Sequence, residues 1–414
     1  MDPARLDWRC KGAPPSAEGL TSDEVGGLGL RLTRDMMLPV AILRDSALAG
    51  NIDAMQAFAD RIGARLCPHG KTSMSPELFA MQIAAGAWGM TAATAHHVRI
   101  YRRLGIGRVF LANQPVAPAD LDWIAAELAR DPGFDFYCLA DSPAIALRLA
   151  AAAERAGLER PIQVLVETGA PQGRTGARGI ADALAAARAI ASAAPFLALS
   201  GVETFEGIRQ TRRTARAEAA EMIGLAVAAA EAMAGEALFG AGPVMISAGG
   251  SAFLDLCSAR LPDRIGGRPV EKVIRPGCYV THDHGLYAAL AEGAPESDRI
   301  GLRPALEVWG AVQSVPEPGV AIVGVGKRDV SSDAGLPLPI RAYRDDRGGI
   351  ATDGLSVVEL WDQHARLADP AGALAVGDLV GFGISHPCAT FDRWRALFTA
   401  ADDDSITGFV ATIF

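Results

Sequence analysis

One unit repeats from about residue 35 to about residue 275: a short apolar run, then an Ala- and Leu-rich stretch with apolar residues three and four apart. The short run reads as a strand buried on both faces and the longer stretch as a crossover helix, so the pattern calls for parallel βα units. The strands fall near Ala64–Cys67, Gly89–Ala92, Arg108–Leu111, Phe134–Leu139, Ile162–Val166, Ala198–Val202, Val244–Ser247 and Lys272–Ile274. Eight strands and their helices over roughly 240 residues match an α/β fold of the closed (β/α)8 TIM type. An open doubly wound sheet shares the alternation, but no GxGxxG follows the first strand. Past residue 300 come short alternating runs broken by Gly, Pro and Asp, as in Ala321–Val325 and Asp378–Ile384, which predict an antiparallel β domain. The chain therefore divides into a segment (1–35) packing with the β domain, a barrel (36–295) and a C-terminal β domain (296–414).

Charge and apolar patterning narrow the partners. A formal net charge of −9 provides no positive field to gather phosphate backbones or anionic lipid, which excludes nucleic acid and membrane surfaces as expected partners. The apolar stretch Ala189–Val202 is interrupted by Pro195 and is shorter than the roughly 20 residues of a spanning helix. Six cysteines without a CxxC pair fit a reducing compartment, and the N-terminal residues lack a secretory apolar core, so a cytoplasmic location is expected.

In a barrel the reacting groups collect where strands end. Pro68-His69-Gly70-Lys71-Thr72 follows the first barrel strand, and Lys71 is either an amine at the barrel mouth, poorly hydrated and nucleophilic, or a surface lysine starting a helix. After the fifth strand comes Glu167-Thr168-Gly169 through Arg174-Thr175-Gly176, where Arg174 faces a ligand or lies in an ordinary Gly-rich surface loop. Ser247-Ala248-Gly249-Gly250-Ser251 follows the seventh strand; its amides and the Ser247 and Ser251 hydroxyls could cradle a phosphate, as could any Gly-Gly corner between strand and helix. Arg275-Pro276-Gly277-Cys278-Tyr279 follows the eighth. Gly383-Ile384-Ser385-His386-Pro387-Cys388 ends a strand of the β domain, and its imidazole and thiol either bind zinc with open positions or form a buried His beside a buried Cys. His96 and His97 read as helix-start residues, His282-Asp283-His284 as an exposed turn, His364 as a surface helix residue and Asp402–Asp404 as a solvated turn.

These segments, in this order, resemble the fold-type III pyridoxal-phosphate enzymes of the D-serine dehydratase and D-threonine aldolase group, which have an alanine racemase-like barrel followed by a β domain. PHGKT resembles the family's PHxKT signature, which implies that Lys71 holds the cofactor aldehyde as a Schiff base and acts as the catalytic residue, with His69 in support. By the same resemblance Arg174 faces the pyridine nitrogen, and Ser247, Gly249, Gly250, Ser251 and Tyr279 contact the phosphate. Cys278 stands where the family's PGSY segment has serine, and Ser73 stands where the family commonly has histidine. His386 and Cys388 resemble the HxC metal pair of D-serine dehydratases, which implies pyridoxal 5'-phosphate and a divalent ion, zinc by preference. In the aldolase relatives the second ligand is more often aspartate, so Cys388 favours dehydration of D-serine or a close analogue to a keto acid and ammonia. The alternatives are a D-threonine-type aldolase, an amino-acid racemase and a non-catalytic pyridoxal-phosphate-binding protein. The resemblance also implies a homodimer.

Overall fold

Which sheet a buried apolar run joins depends on pairings far away in sequence, and the first strand shows it. The computed structural model describes residues 4–209, 214–296, 299–345 and 348–414. Strand β1 (Val40–Arg44) is buried along its whole length, as a barrel strand would be, yet it pairs antiparallel with β11 (Leu306–Glu317) and parallel with β18 (Ala396–Ala400). Residues 36–44, counted above with the barrel, therefore lie with the second sheet. A uniformly apolar run satisfies the core of either layer, so its pattern does not discriminate between them.

The barrel itself is built from β2 (Ala64–Leu66), β3 (Met90–Ala92), β4 (Arg108–Leu111), β5 (Asp135–Ala140), β6 (Ile162–Thr168), β7 (Leu197–Thr204), β8 (Val244–Ser247) and β10 (Arg268–Ile274). These are the eight strands expected, in the order β2-β10-β8-β7-β6-β5-β4-β3 and all parallel. Trp88 N donates to Leu66 O and Thr91 N to Pro68 O, both at 2.7 Å, so β3 meets β2 and the ring closes. The extra strand β9 (Arg264–Ile265) forms a hairpin with β10 across Gly266-Gly267, both at positive φ, as a two-residue turn of that hand requires. Alternate residues Phe110, Leu139, Leu165, Met245 and Val273 join Cys67 in one interior cluster, while their neighbours Val109, Cys138, Val164 and Ile246 pack beneath the helices. Three crossover helices (Pro76–Ala84, Pro118–Arg130 and Pro143–Arg155) begin on proline, whose fixed φ and missing N–H suit a first helical turn.

The second sheet runs β14-β13-β17-β11-β1-β18-β19, with β13 (Leu338–Tyr343), β14 (Gly349–Ile350), β17 (Leu379–Gly383) and β19 (Ile406–Ala411). Strands β12 (Val320–Val323), β15 (Ser356–Leu360) and β16 (Ala365–Ala368) extend it through β11. Leu6, Val25 and Leu32 of the N-terminal segment share a core with Trp309, Phe398 and Phe409 of this sheet. Arg44, at the end of β1, is buried between Glu307 (2.7 Å) and Asp404 (2.6 Å). Asp404 is thus an internal ion-pair partner rather than part of a solvated turn. His364 is exposed in the turn joining β15 and β16, not on a helix, because the two short runs around it pair with each other. Ile413 N donates to Met74 O at 2.9 Å, bringing the chain's last residues against the Lys71 segment.

Candidate active site

Lys71 stands in the single 3-10 turn Gly70–Thr72 immediately after β2. Gly70 fits there because any Cβ would fall 2.3 Å from the Tyr101 hydroxyl. The lysine side chain is exposed at the rim of a cavity of about 320 Å³. Its neighbours around that cavity include His69, Glu167, Arg174, Glu203, Phe205 and Arg275. Glu167 on β6, Glu203 on β7 and Ser247 on β8 are register partners, so the closing barrel aligns them in one row at its C-terminal end.

The electrostatics of this floor follow from burial. Glu203 pairs with Arg275, both almost wholly buried, and its Oε2 has no hydrogen-bond partner. Burial pushes Glu203 up to about 8 despite the Arg275 guanidinium, with Glu167 and Glu206 adding to the rise. Burial, then the charges of Lys71 and Arg275, hold His69 well below its usual range, so its imidazole is neutral. Its Nδ1 is also buried without a partner. Arg174 is exposed and lies over the Phe205 ring at 4.6 Å. A cavity edged by the Lys71 amine, the Arg174 guanidinium and the unpartnered buried atoms of His69 and Glu203 fits an aromatic aldehyde bearing a ring nitrogen and a phenolic oxygen.

The expected phosphate residues divide. Gly250 lines the cavity, and a Cβ there would stand 2.7 Å from the Phe205 ring. Gly249 adopts φ +89° behind it. Their N–H groups donate to the Glu206 carboxyl group at 3.1 and 2.8 Å, so the loop's donors are already taken by an internal side chain. Ser247 is fully buried; its hydroxyl donates to Val273 O and accepts from Arg275, which places it behind the arginine and not at the cavity. Ser251 Oγ accepts from Gly277 N and Cys278 N. Tyr279 is buried with its hydroxyl accepting from Gln82 Nε2 at 2.9 Å, away from the cavity lining. The Ser247 and Tyr279 hydroxyls face inward because each satisfies a neighbouring buried group, and the half-buried Ser251 is held by the Gly277–Cys278 turn.

On the other side of the Lys71 turn, His386, Cys388 and Cys278 bring their ligand atoms within 4.8 Å of one another, the group of metal-ligand type found among the described residues. The two sulfurs are 3.5 Å apart, and Thr72 Oγ1 lies 3.4 Å from Cys388. His386 Nδ1 meets Asp333 Oδ2 at 2.7 Å, which orients the ring and leaves Nε2 for a ligand bond. Donation from Cys278, then the nearby His386, holds Cys388 well below the usual thiol range in spite of its burial. Burial alone would lower His386, but the Cys388 sulfur and the Asp333 carboxylate raise it to about 9. A thiolate, an oriented imidazole and a second thiol suit a zinc-like ion.

The remaining histidines have other work. His282-Asp283-His284 is a buried turn, not an exposed one: Asp283 Oδ1 accepts from the N–H groups of Gly285, Tyr287 and Ala288 at the start of helix Leu286–Glu292. His96 is exposed, and His97 sits at a helix start with its ring stacked near Tyr101. Sequence reasoning missed Glu203, Arg275, Glu206 and Asp333, and read Cys278 only as a replaced serine. The first two had a signal, charged residues inside or directly after apolar strands; Asp333 had none.

A lysine at the mouth of a (β/α)8 barrel, with a β domain reaching back over it, defines the alanine racemase-like class. The model "Alanine racemase, N-terminal domain" matches residues 44–257, and the one described as "Putative serine dehydratase domain" matches residues 305–400. The chain belongs to this fold-type III pyridoxal-phosphate family. It is 26% identical to a D-threonine aldolase of an Arthrobacter species, covering 88% of this chain and 89% of that one. It is 28% identical to the D-threo-3-hydroxyaspartate dehydratase of a Delftia species, covering 89% and 95%. The solved metal-free form of a cysteine-to-alanine variant of D-threo-3-hydroxyaspartate dehydratase superposes with a TM-score of 0.70, at 25% identity, covering 91% of this chain and 97% of that one. Among the described residues, no helix is long and apolar enough to cross a membrane.

Proposed function

We propose that the chain is a pyridoxal-phosphate- and metal-dependent lyase that dehydrates a β-hydroxy D-amino acid, D-serine or a close analogue, to a keto acid and ammonia. The observation that carries this reading is the contact of Thr72, the residue after Lys71, with the His386–Cys388 pair. It sets an amine and a metal-ligand group on adjoining sides of one turn. When bound, the cofactor supplies an electron sink for the Cα carbanion and the divalent ion a Lewis acid for the departing hydroxide.

The chain's own residues do the rest. Lys71 holds the aldehyde and, released from it, takes the Cα proton on Nζ. His69 is neutral and faces the same cavity. Its unpartnered Nδ1 can accept or donate without adding charge. Arg174 borders the cavity as a permanent cation and Glu203 beneath it offers Oε2, while Gly250 keeps that wall of the cavity open beside Phe205. Loss of the α-proton and the β-hydroxyl as water leaves an enamine, whose hydrolysis returns one water and yields keto acid plus ammonia. A homodimer belongs to the same proposal, and light scattering of the purified protein measures it.

Incubation with D-serine, D-threonine and 3-hydroxy-D-aspartate, with and without chelator, tests the reaction. Keto acid and ammonia are expected, lost on chelation and in Lys71→Ala together with absorbance near 420 nm. Glycine plus an aldehyde would instead assign the aldolase reaction, which the 26% identical D-threonine aldolase favours. Inversion of D-amino acids indifferent to chelator would assign a racemase.

A further inference from the structure

The HxC pair supplies two ligands from one loop, but the structure brings a third group to the same point from the other domain. Cys278 starts the 3-10 turn Cys278–Val280 after the eighth barrel strand, 110 residues away in sequence from Cys388. Its backbone N–H is fixed by Ser251 Oγ at 3.0 Å, and its side chain is 4% exposed. The sulfur forms no disulfide and lies 3.5 Å from Cys388 Sγ and 3.9 Å from Thr72 Oγ1. Two thiolates at about 2.3 Å from one tetrahedral ion stand roughly 3.8 Å apart, so the observed separation needs only a slight adjustment to admit it.

We propose that Cys278 is a third protein ligand to the divalent ion, making this chain's centre a Cys2His site with one position left for a substrate oxygen. The inference rests on the proposed metal-dependent reaction and deepens it. Thiolate ligation requires that any proton on Cys278 leave as the ion binds. Two sulfur ligands select zinc over the hard ions manganese, magnesium and calcium, for which carboxylate and water are the matched ligands. The ligand set also spans both domains, since Cys278 follows the barrel while His386 and Cys388 belong to the β domain.

Zinc K-edge absorption of the zinc-loaded holoenzyme and of Cys278→Ser tests the assignment without reference to turnover. Two sulfur scatterers are expected in the wild type, and one each in Cys278→Ser and Cys388→Ser. Competition with a chromophoric chelator should show zinc bound at least ten-fold more weakly by Cys278→Ser, and zinc should raise its melting temperature less. Equal melting temperatures of the two metal-stripped proteins establish that the serine variant is folded. One sulfur in both wild type and Cys278→Ser, or equal zinc affinities, would overturn the third ligand and leave a His386–Cys388 metal lyase standing. A wild type that binds no zinc and turns over regardless of chelator would overturn both.

Discussion

A carboxyl group walled off from water at the end of β7 keeps a proton that an exposed glutamate would release. Burial raises Glu203 from 4.5 to about 8 against the pull of Arg275. Its contribution to stability is therefore fully present below about pH 4.5 and is lost progressively as pH rises through about 8. Glu203→Gln has no such titration. In urea unfolding of the cofactor-free protein, wild type should lose stability relative to the variant by up to about 1.4 kcal/mol per pH unit between pH 5 and 8. Parallel curves would mean that the carboxylate stays ionised against Arg275 throughout. The same residue marks a limit of sequence reading. Lys71 and Gly250 line the cavity, where a strand end and a Gly-Gly corner dictate their own local geometry. Glu203 and Arg275 meet only when β7 and β10 take their places on either side of β8, a relation no local pattern encodes.

At the scale of elements, the short helix Leu286–Glu292 buries none of its residues fully, and only Tyr287 and Leu290 pack partly against the core. The Asp283 carboxylate is its anchor, accepting from Gly285 N and Tyr287 N at 3.0 Å and from Ala288 N at 3.3 Å. Asp283→Ala should cost about 1–2 kcal/mol of local stability and speed amide exchange over residues 285–292, with little change elsewhere. Uniform exchange across the chain would refute that locality. The eight barrel strands were readable because each short apolar run is followed by its own helix. β1 was not, since a run buried on both faces carries no mark of the layer it enters. Nor did the His-Asp-His run at 282–284 reveal whether the turn faced water or a helix start.

For the whole molecule, the proposed ion sits where the barrel meets the β domain, and its binding should count towards global stability. At a hundred-fold excess over its dissociation constant, a ligand of the native state alone adds about 2.7 kcal/mol. Stripping zinc should therefore lower the melting temperature by several degrees, and adding it back should restore it; an unchanged transition would place the ion outside the native fold's linkage. The path of the chain makes the domains hard to part in another way. The polypeptide enters through the second sheet at β1, winds the entire barrel, and returns to lay β11 and β18 on either side of that first strand. A gene cut near residue 300 would therefore not release an autonomous carboxy-terminal module. It would leave that piece with an empty lane at its centre, between β11 and β18.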